Sequence, residues 1–264
     1  MRNSTKPIPR PPKNEYFIDT HAHLHFPELD LKREEIIKRA SEQKVKKIIN
    51  VATGMNDSPI SLNIAQENEN IFSSVGVHPH EADQLDEEEL SRLSQEKKCC
   101  AIGEIGLDYF KMRNEKETQI KAFEKQLNLA SKKNLPVIIH SRKASQDVLS
   151  ILKNFPSLQG VFHCFSGGKN TARKVLEMGF LISFTGILTF PNAENARQVL
   201  GAIDLSRIML ETDCPFLSPQ RFRGQTNEPS YLLEIAQKIS TIKKISLDKL
   251  AQITTQNAEV LFGI

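Results

Sequence analysis

Eight apolar runs of strand character, separated by segments of helical period, set the tightest limit on what this chain can fold into. The runs are Tyr16–Leu24, Lys46–Ala52, Ile71–Val77, Cys100–Leu107, Val137–His140, Val161–Phe165, Phe180–Phe184 and Ile208–Thr212. Strands that alternate with helices signal a parallel sheet, because each strand returns to the same end through a crossover. The clearest intervening segment, Glu117–Lys133, puts Ile120, Phe123, Leu127 and Ala130 on one side at period 3.6. Eight such units in 264 residues predict one α/β domain, a (β/α)8 barrel of the TIM type, rather than an open sheet.

The ends of those runs carry the chemistry. All seven histidines, His21, His23, His25, His78, His80, His140 and His163, fall at or just beyond a run end. His21 and His23 are two apart, so on a strand they share a face and can chelate one cation. An isolated H-x-H fits a solvated strand face equally well. A single strand-end histidine is more often structural, and a lone Glu104 after Gly103 can cap a turn. Six potential donors together, His21, His23, Glu104, His140, His163 and Asp213, are a different matter. An open sheet would spread them along an edge, whereas a barrel gathers them in one ring at the face where such enzymes keep their active sites.

Six donors exceed what one tetrahedral ion uses. Two divalent ions sharing Glu104 as a bridge is the economical arrangement. Two such ions against Glu104 and Asp213 leave a surplus of about +2, so the expected substrate is an anion. Lys111, Arg113, Arg142, Lys143, Lys169, Arg221 and Arg223 follow strand runs and are expected on that same face.

Composition narrows the partners little. A formal charge of +3 is mildly basic and does not by itself argue for nucleic acid. The lysine clusters at 44–47, 97–98 and 132–133 are expected at helix C-termini, complementing the helix dipole on the opposite face. Cys99, Cys100, Cys164 and Cys214 lack C-x-x-C spacing and read as reduced thiols of a cytoplasmic protein. No run approaches the roughly 18 apolar residues of a membrane span, and a monomer is expected. Residues 1–15, with Pro7, Pro9, Pro11 and Pro12 among Arg2, Lys6, Arg10 and Lys13, read as a flexible basic arm before a barrel over 16–264.

Seven ordered blocks carry a resemblance. They are Phe17–His23 (FIDTHAH), Gly76–His80 (GVHPH), Gly103–Tyr109 (GEIGLDY), Pro136–Arg142 (PVIIHSR), Phe162–Gly167 (FHCFSG), Glu211–Pro215 (ETDCP) and Arg223–Pro229 (RGQTNEP). With them the chain, from Tyr16 to Ile264, resembles the TatD family of metal-dependent hydrolases, a branch of the amidohydrolase-like barrels. The resemblance implies that His21, His23, Glu104 and Asp213 hold one metal, and that Glu104, His140 and His163 hold the other. It further implies a nuclease that hydrolyses DNA phosphodiesters, of 3′ to 5′ exonuclease type acting on a single-stranded end. Asp213 is then the expected base, taking a proton from the attacking water, with Glu104 as the shared catalytic ligand.

Two positions depart from the family pattern. His25 stands where an acid or amide is usual, and reads as a further ligand or as a rim histidine. Gln146 stands where an acid is usual, with Asp147 next to it. His78 and His80 are expected to contact phosphate or protonate the leaving group, Arg142 and Arg223 to bind the next phosphate, and Tyr109 and Phe216 to stack a base. Histidine-rich ligation favours zinc, manganese or cobalt over magnesium. Three other readings stay open: a small-molecule amidohydrolase or lactonase, a metal-free binding scaffold, and a deacylase of mischarged transfer RNA.

Overall fold

The computed structural model describes residues 10–264, so residues 1–9 of the expected N-terminal arm lie outside the description. Eight parallel strands form one sheet in sequential order: β1 (Phe17–Ala22), β2 (Val45–Val51), β3 (Ile71–Val75), β4 (Cys99–Asp108), β5 (Val137–Arg142), β6 (Gly160–Phe162), β7 (Leu181–Phe184) and β8 (Ile208–Leu210). A bridge between Ala22 and Cys214 joins the two edges, so the sheet closes into the expected barrel.

Among the described residues ten α-helices flank it: α1 (Pro27–Asp30), α2 (Arg33–Glu42), α3 (Ser58–Glu67), α4 (Glu87–Leu93), α5 (Lys116–Lys133), α6 (Ser145–Leu152), α7 (Lys169–Glu177), α8 (Glu194–Ala202), α9 (Leu232–Lys243) and α10 (Leu247–Phe262). Phe123, Leu127 and Ala130 are buried on α5 as its periodicity predicts, and left-handed Asn134 (φ 54) ends the helix. Asp86 caps α4, its side chain accepting the Glu89 N–H. No helix among the described residues is long and apolar enough to cross a membrane.

Neighbouring strand residues belong to two cores. Phe17, Ile48, Ile139, Phe162 and Leu210 pack outward against helices. Ile18, Ile49, Ile138, Val161 and Met209 point inward and meet Ala258 and Phe262 of α10, which plugs the barrel floor. The period of two therefore decides which residues face the barrel axis.

In two strands it is broken on the way to the mouth. Register shifts fall between Asp19 and Ala22 on β1 and between Ile102 and Ile105 on β4. After them Ala22, Leu24, Ile105 and Leu107 pack outward. His21, His23 and Glu104 are thereby turned to the axis. Uninterrupted alternation from Phe17 and Ile102 would have aimed all three at the helices.

Several expected boundaries are corrected. β1, β6 and β8 end at Ala22, Phe162 and Leu210, so His23, His163 and Asp213 stand beyond the sheet. There Asp213 donates its N–H to His21 O (2.9 Å), and His23 donates to Cys214 O (2.9 Å). Of the lysine clusters only Lys132 and Lys133 occupy the last turn of a helix. Lys46 and Lys47 lie on β2, because Val45 and Ile48 are needed in the sheet's core, and Lys47 pairs with Glu259 at 2.8 Å.

Candidate metal centre and active site

Four imidazoles and two carboxylates converge at the C-terminal ends of the strands. Glu104, almost fully buried, sits between them and divides its oxygens. Its Oε1 lies 2.6 Å from His140 Nδ1 and 2.7 Å from His163 Nε2; its Oε2 lies 3.4 Å from His21 Nε2. Asp213 Oδ1 is 3.4 Å from His23 Nε2 and 3.8 Å from His21 Nε2. Gly106 permits the approach of β4 to β5 that seats His140: its φ is +145°, and a Cβ there would fall 2.0 Å from His140 O.

The nitrogen lone pairs show that this donor set suits cations. His23 Nδ1 meets the Val51 carbonyl at 2.7 Å, and a carbonyl only accepts, so Nδ1 carries a proton and Nε2 is left for the site. That Nε2 faces His21 Nε2 at 3.3 Å. On the other side His140 Nδ1 faces His163 Nε2 at 3.2 Å, while His140 Nε2 reaches Asp108 Oδ2 at 3.2 Å. Two nitrogen pairs, each beside one oxygen of Glu104, are poorly served by hydrogen bonds and well served by a cation apiece. His21, His23 and Glu104 form one such group within 4.8 Å.

Charge at the site follows from burial and crowding. Burial alone would raise the Glu104 carboxyl, but the charge of His163 and hydrogen bonds from His140 and His163 hold it well below the carboxylate range. Asp213 is likewise lowered despite its burial, chiefly by the His23 hydrogen bond. His78 is pushed well below the usual imidazole value by burial. Its Nδ1 accepts the His80 N–H at 3.1 Å, so its remaining proton is on Nε2, which points towards Glu104 Oε1 at 3.7 Å.

Two acids that sequence reasoning passed over complete the shell. Asp108 Oδ2 is hydrogen-bonded to His140 Nε2 at 3.2 Å and lies 3.2 Å from His80 Nε2 without a hydrogen bond, while its Oδ1 accepts the N–H groups of Phe110 and Lys111. Glu211, fully buried, accepts the Cys164 N–H at 2.6 Å and lies 3.7 Å from His163 Nδ1. Both stand at or just past a strand end, as Asp213 does, and both fall in the motif blocks; that position was the available signal.

The other expected residues divide. A cleft of about 740 Å³ opens above the centre, and His78, His80, Arg142 and Phe216 line it. Tyr109 and Arg223 do not: Tyr109 donates its hydroxyl to Asp147 at 2.9 Å under Lys116, and the Arg223 guanidinium lies on Phe190 at 4.4 Å. Asp147 is also bound by Lys116 at 2.7 Å. His25 is held away from the centre by Asp57, 3.2 Å from its Nε2, because β1 ends at Ala22 and the shared-face argument stops with it.

Comparison with known proteins agrees with this geometry. The family described as "TatD related DNase" matches residues 18–263. An uncharacterised metal-dependent hydrolase of Bacillus subtilis, YabD, is 41% identical, over 94% of this chain and 99% of its own. The 3′-5′ ssDNA/RNA exonuclease TatD of Erwinia amylovora is 35% identical over 88% of this chain and 94% of its own. The crystal structure of the TatD homologue YjjV of Escherichia coli superposes with a TM-score of 0.90 at 31% identity, covering 94% of this chain and 98% of that one. A TatD-family hydrolase of Entamoeba histolytica superposes at 0.83 with 27% identity, over 94% and 98% of the two chains. With its fold, its strand-end donors and its matched length in accord, the chain belongs to the TatD family of metal-dependent hydrolases.

Proposed function

We propose that this hydrolase is a nuclease that cleaves DNA phosphodiesters from a single-stranded 3′ end, using two divalent ions held across Glu104. The division of the Glu104 carboxylate carries the reading: one oxygen faces His21, the other His140 and His163. His21, His23, Glu104 and Asp213 would hold one ion, and Glu104, His140 and His163 the other. Bound there, such ions supply Lewis acidity and ready deprotonation of water near neutral pH.

The chain's own groups do the rest. Asp213, kept ionised beside His23, can accept the proton of an attacking water at its free carboxylate face. His78 presents an Nε2 proton to the cleft and can donate a hydrogen bond to a phosphate oxygen. Asp108, itself held ionised by His140 and by the Phe110 and Lys111 amides, trims the expected surplus of positive charge at the centre. Attraction of a polyanion therefore falls more on Lys111, Arg113 and Arg142, which line the cleft.

The relative from Erwinia amylovora, named a 3′-5′ ssDNA/RNA exonuclease, supports this substrate class. An assay of manganese-loaded protein on end-labelled single-stranded DNA, beside a panel of amides and lactones, tests it. Stepwise release of nucleotides from the 3′ end is expected. Turnover of the amide or lactone panel alone would replace the nuclease with the amidohydrolase alternative.

A further inference from the structure

The cleft above the metal ligands has two unlike walls. Every lysine and arginine that lines it among the described residues, Lys111, Arg113 and Arg142, follows β4 or ends β5. On that side Lys111 and Arg142 have no carboxylate partner among the described residues, and the Arg142 guanidinium lies on the ring of Phe110 at 4.0 Å. The wall that follows β7, β8 and β1 is apolar: Phe26, Ile187, Phe216 and Leu217. Because β8 and β4 stand four strands apart in a ring of eight, the two walls face each other across the floor.

Phe216 is the exposed member of the apolar wall, with 48% of its surface free. A single exposed phenylalanine is ordinary on a protein surface. The backbone of this one is pinned on both sides: its N–H donates to Asp213 O at 2.9 Å, and buried Asn227 donates to its carbonyl at 2.5 Å and to Thr212 O at 2.9 Å. Its ring meets Phe26 edge to face at 5.8 Å, and Phe26 in turn stacks on His23 at 4.8 Å. An aromatic face is thus fixed beside a metal-ligand histidine, where an apolar group would otherwise be left in water.

We propose that Phe216 is a nucleobase platform and that the wall after β4 and β5 is the phosphate track, so a strand crosses the floor in one polarity. This rests on the nucleic-acid reading above and adds the residue that receives the departing nucleotide. A chain continuing past the floor brings further phosphates and needs cations, which line one wall alone. The apolar wall therefore takes the terminal nucleotide, whose base stacks on Phe216 while the rest of the strand runs over Lys111 and Arg142. Stacking tolerates any base, so the platform selects for the presence of a base and not for its identity.

The test uses single-stranded oligonucleotides whose terminal nucleotide is normal or abasic, and a second pair with the abasic unit three positions inward. Manganese-loaded wild-type protein should favour the normal terminus over the abasic one by about tenfold in kcat/KM, and be indifferent to the inward substitution. In Phe216→Ala that preference should fall to near unity. Binding in EDTA of a strand ending in 2-aminopurine should quench its fluorescence with wild type and leave it unquenched with Phe216→Ala. Equal cleavage of normal and abasic ends by wild type overturns the proposal without recourse to any variant. Failure to cleave any oligonucleotide, while methyl p-nitrophenyl phosphate is still hydrolysed, overturns the nucleic-acid reading and this proposal with it; cleavage without base dependence overturns this proposal alone.

Discussion

The two ends of the barrel solve the burial of polar groups in opposite ways. At the floor, charges are paired and shared: Lys47 meets Glu259, which also accepts the Tyr16 hydroxyl, and Lys98 donates to the carbonyls of Asn68, Glu69 and Ile71. At the mouth, His21 Nδ1, His80 Nε2, His163 Nδ1 and Glu211 Oε2 are buried without a hydrogen-bond partner. Left-handed backbone divides the same way. Asn134 and Lys244 cap helices α5 and α9 at the floor, whereas Cys164 (φ 43) and Asp213 (φ 58) adopt it among the converging side chains of the mouth, where no cap is served. The lesson is that stability is concentrated at one end and an unmet demand for ligands at the other.

The largest effect that would break this contrast comes from Glu104→Gln. Turnover should fall to background, and the rise in melting temperature expected of wild type on adding manganese should be absent, since the two Glu104 oxygens face different histidines. A variant that keeps its manganese-dependent stabilisation would show that Glu104 is a structural acid. Glu211→Gln comes next: it alters the group 3.7 Å from His163 Nδ1 while keeping an acceptor for the Cys164 N–H, so calorimetry should find metal affinity reduced by about 10- to 100-fold. Unchanged affinity would make Glu211 a support for the Cys164 turn alone.

Asp57 sharpens the comparison, because it lies at the mouth yet is fully partnered by Thr53, Gly54 and His25. Burial would raise its carboxyl, but the His25 and Thr53 hydrogen bonds win and lower it from 3.8. A carboxyl lowered by folding contributes stability that is present above its unfolded value and lost as pH falls through the folded one. Asp57→Asn should therefore cost about 1 kcal/mol at pH 7, with the difference from wild type closing below about pH 4 in acid unfolding monitored by circular dichroism. At the floor, Lys47→Ala should cost at most about 1 kcal/mol in urea unfolding, less in high salt, and leave turnover unchanged. A loss of turnover there would end the division of labour between the two faces.

Much of the centre was legible before any coordinates. His140 lies inside β5 and shares parity with the inward Ile138, so alternation alone aims it at the axis, whereas His163 and Asp213 keep the parity of Val161 and Met209 but stand past the ends of β6 and β8. Asp108 and Glu211 were legible as strand-end acids but not as partners of His140 and His163, because a contact between side chains 32 or 48 residues apart depends on how strands are set in a ring. Tyr109 and Arg223 show the converse: loop residues at the ends of motif blocks, whose directions are set by Asp147, Lys116 and Phe190.

The sequence by itself determined the eight alternating units, the closed α/β barrel they imply, and the family, since apolar period and motif order are properties of the chain alone. The tertiary structure decided that His21, His23 and Glu104 face the axis at all. Their strands carry register shifts that reverse the side-chain parity, and a shift is a relation between two paired strands, which no single strand's pattern contains.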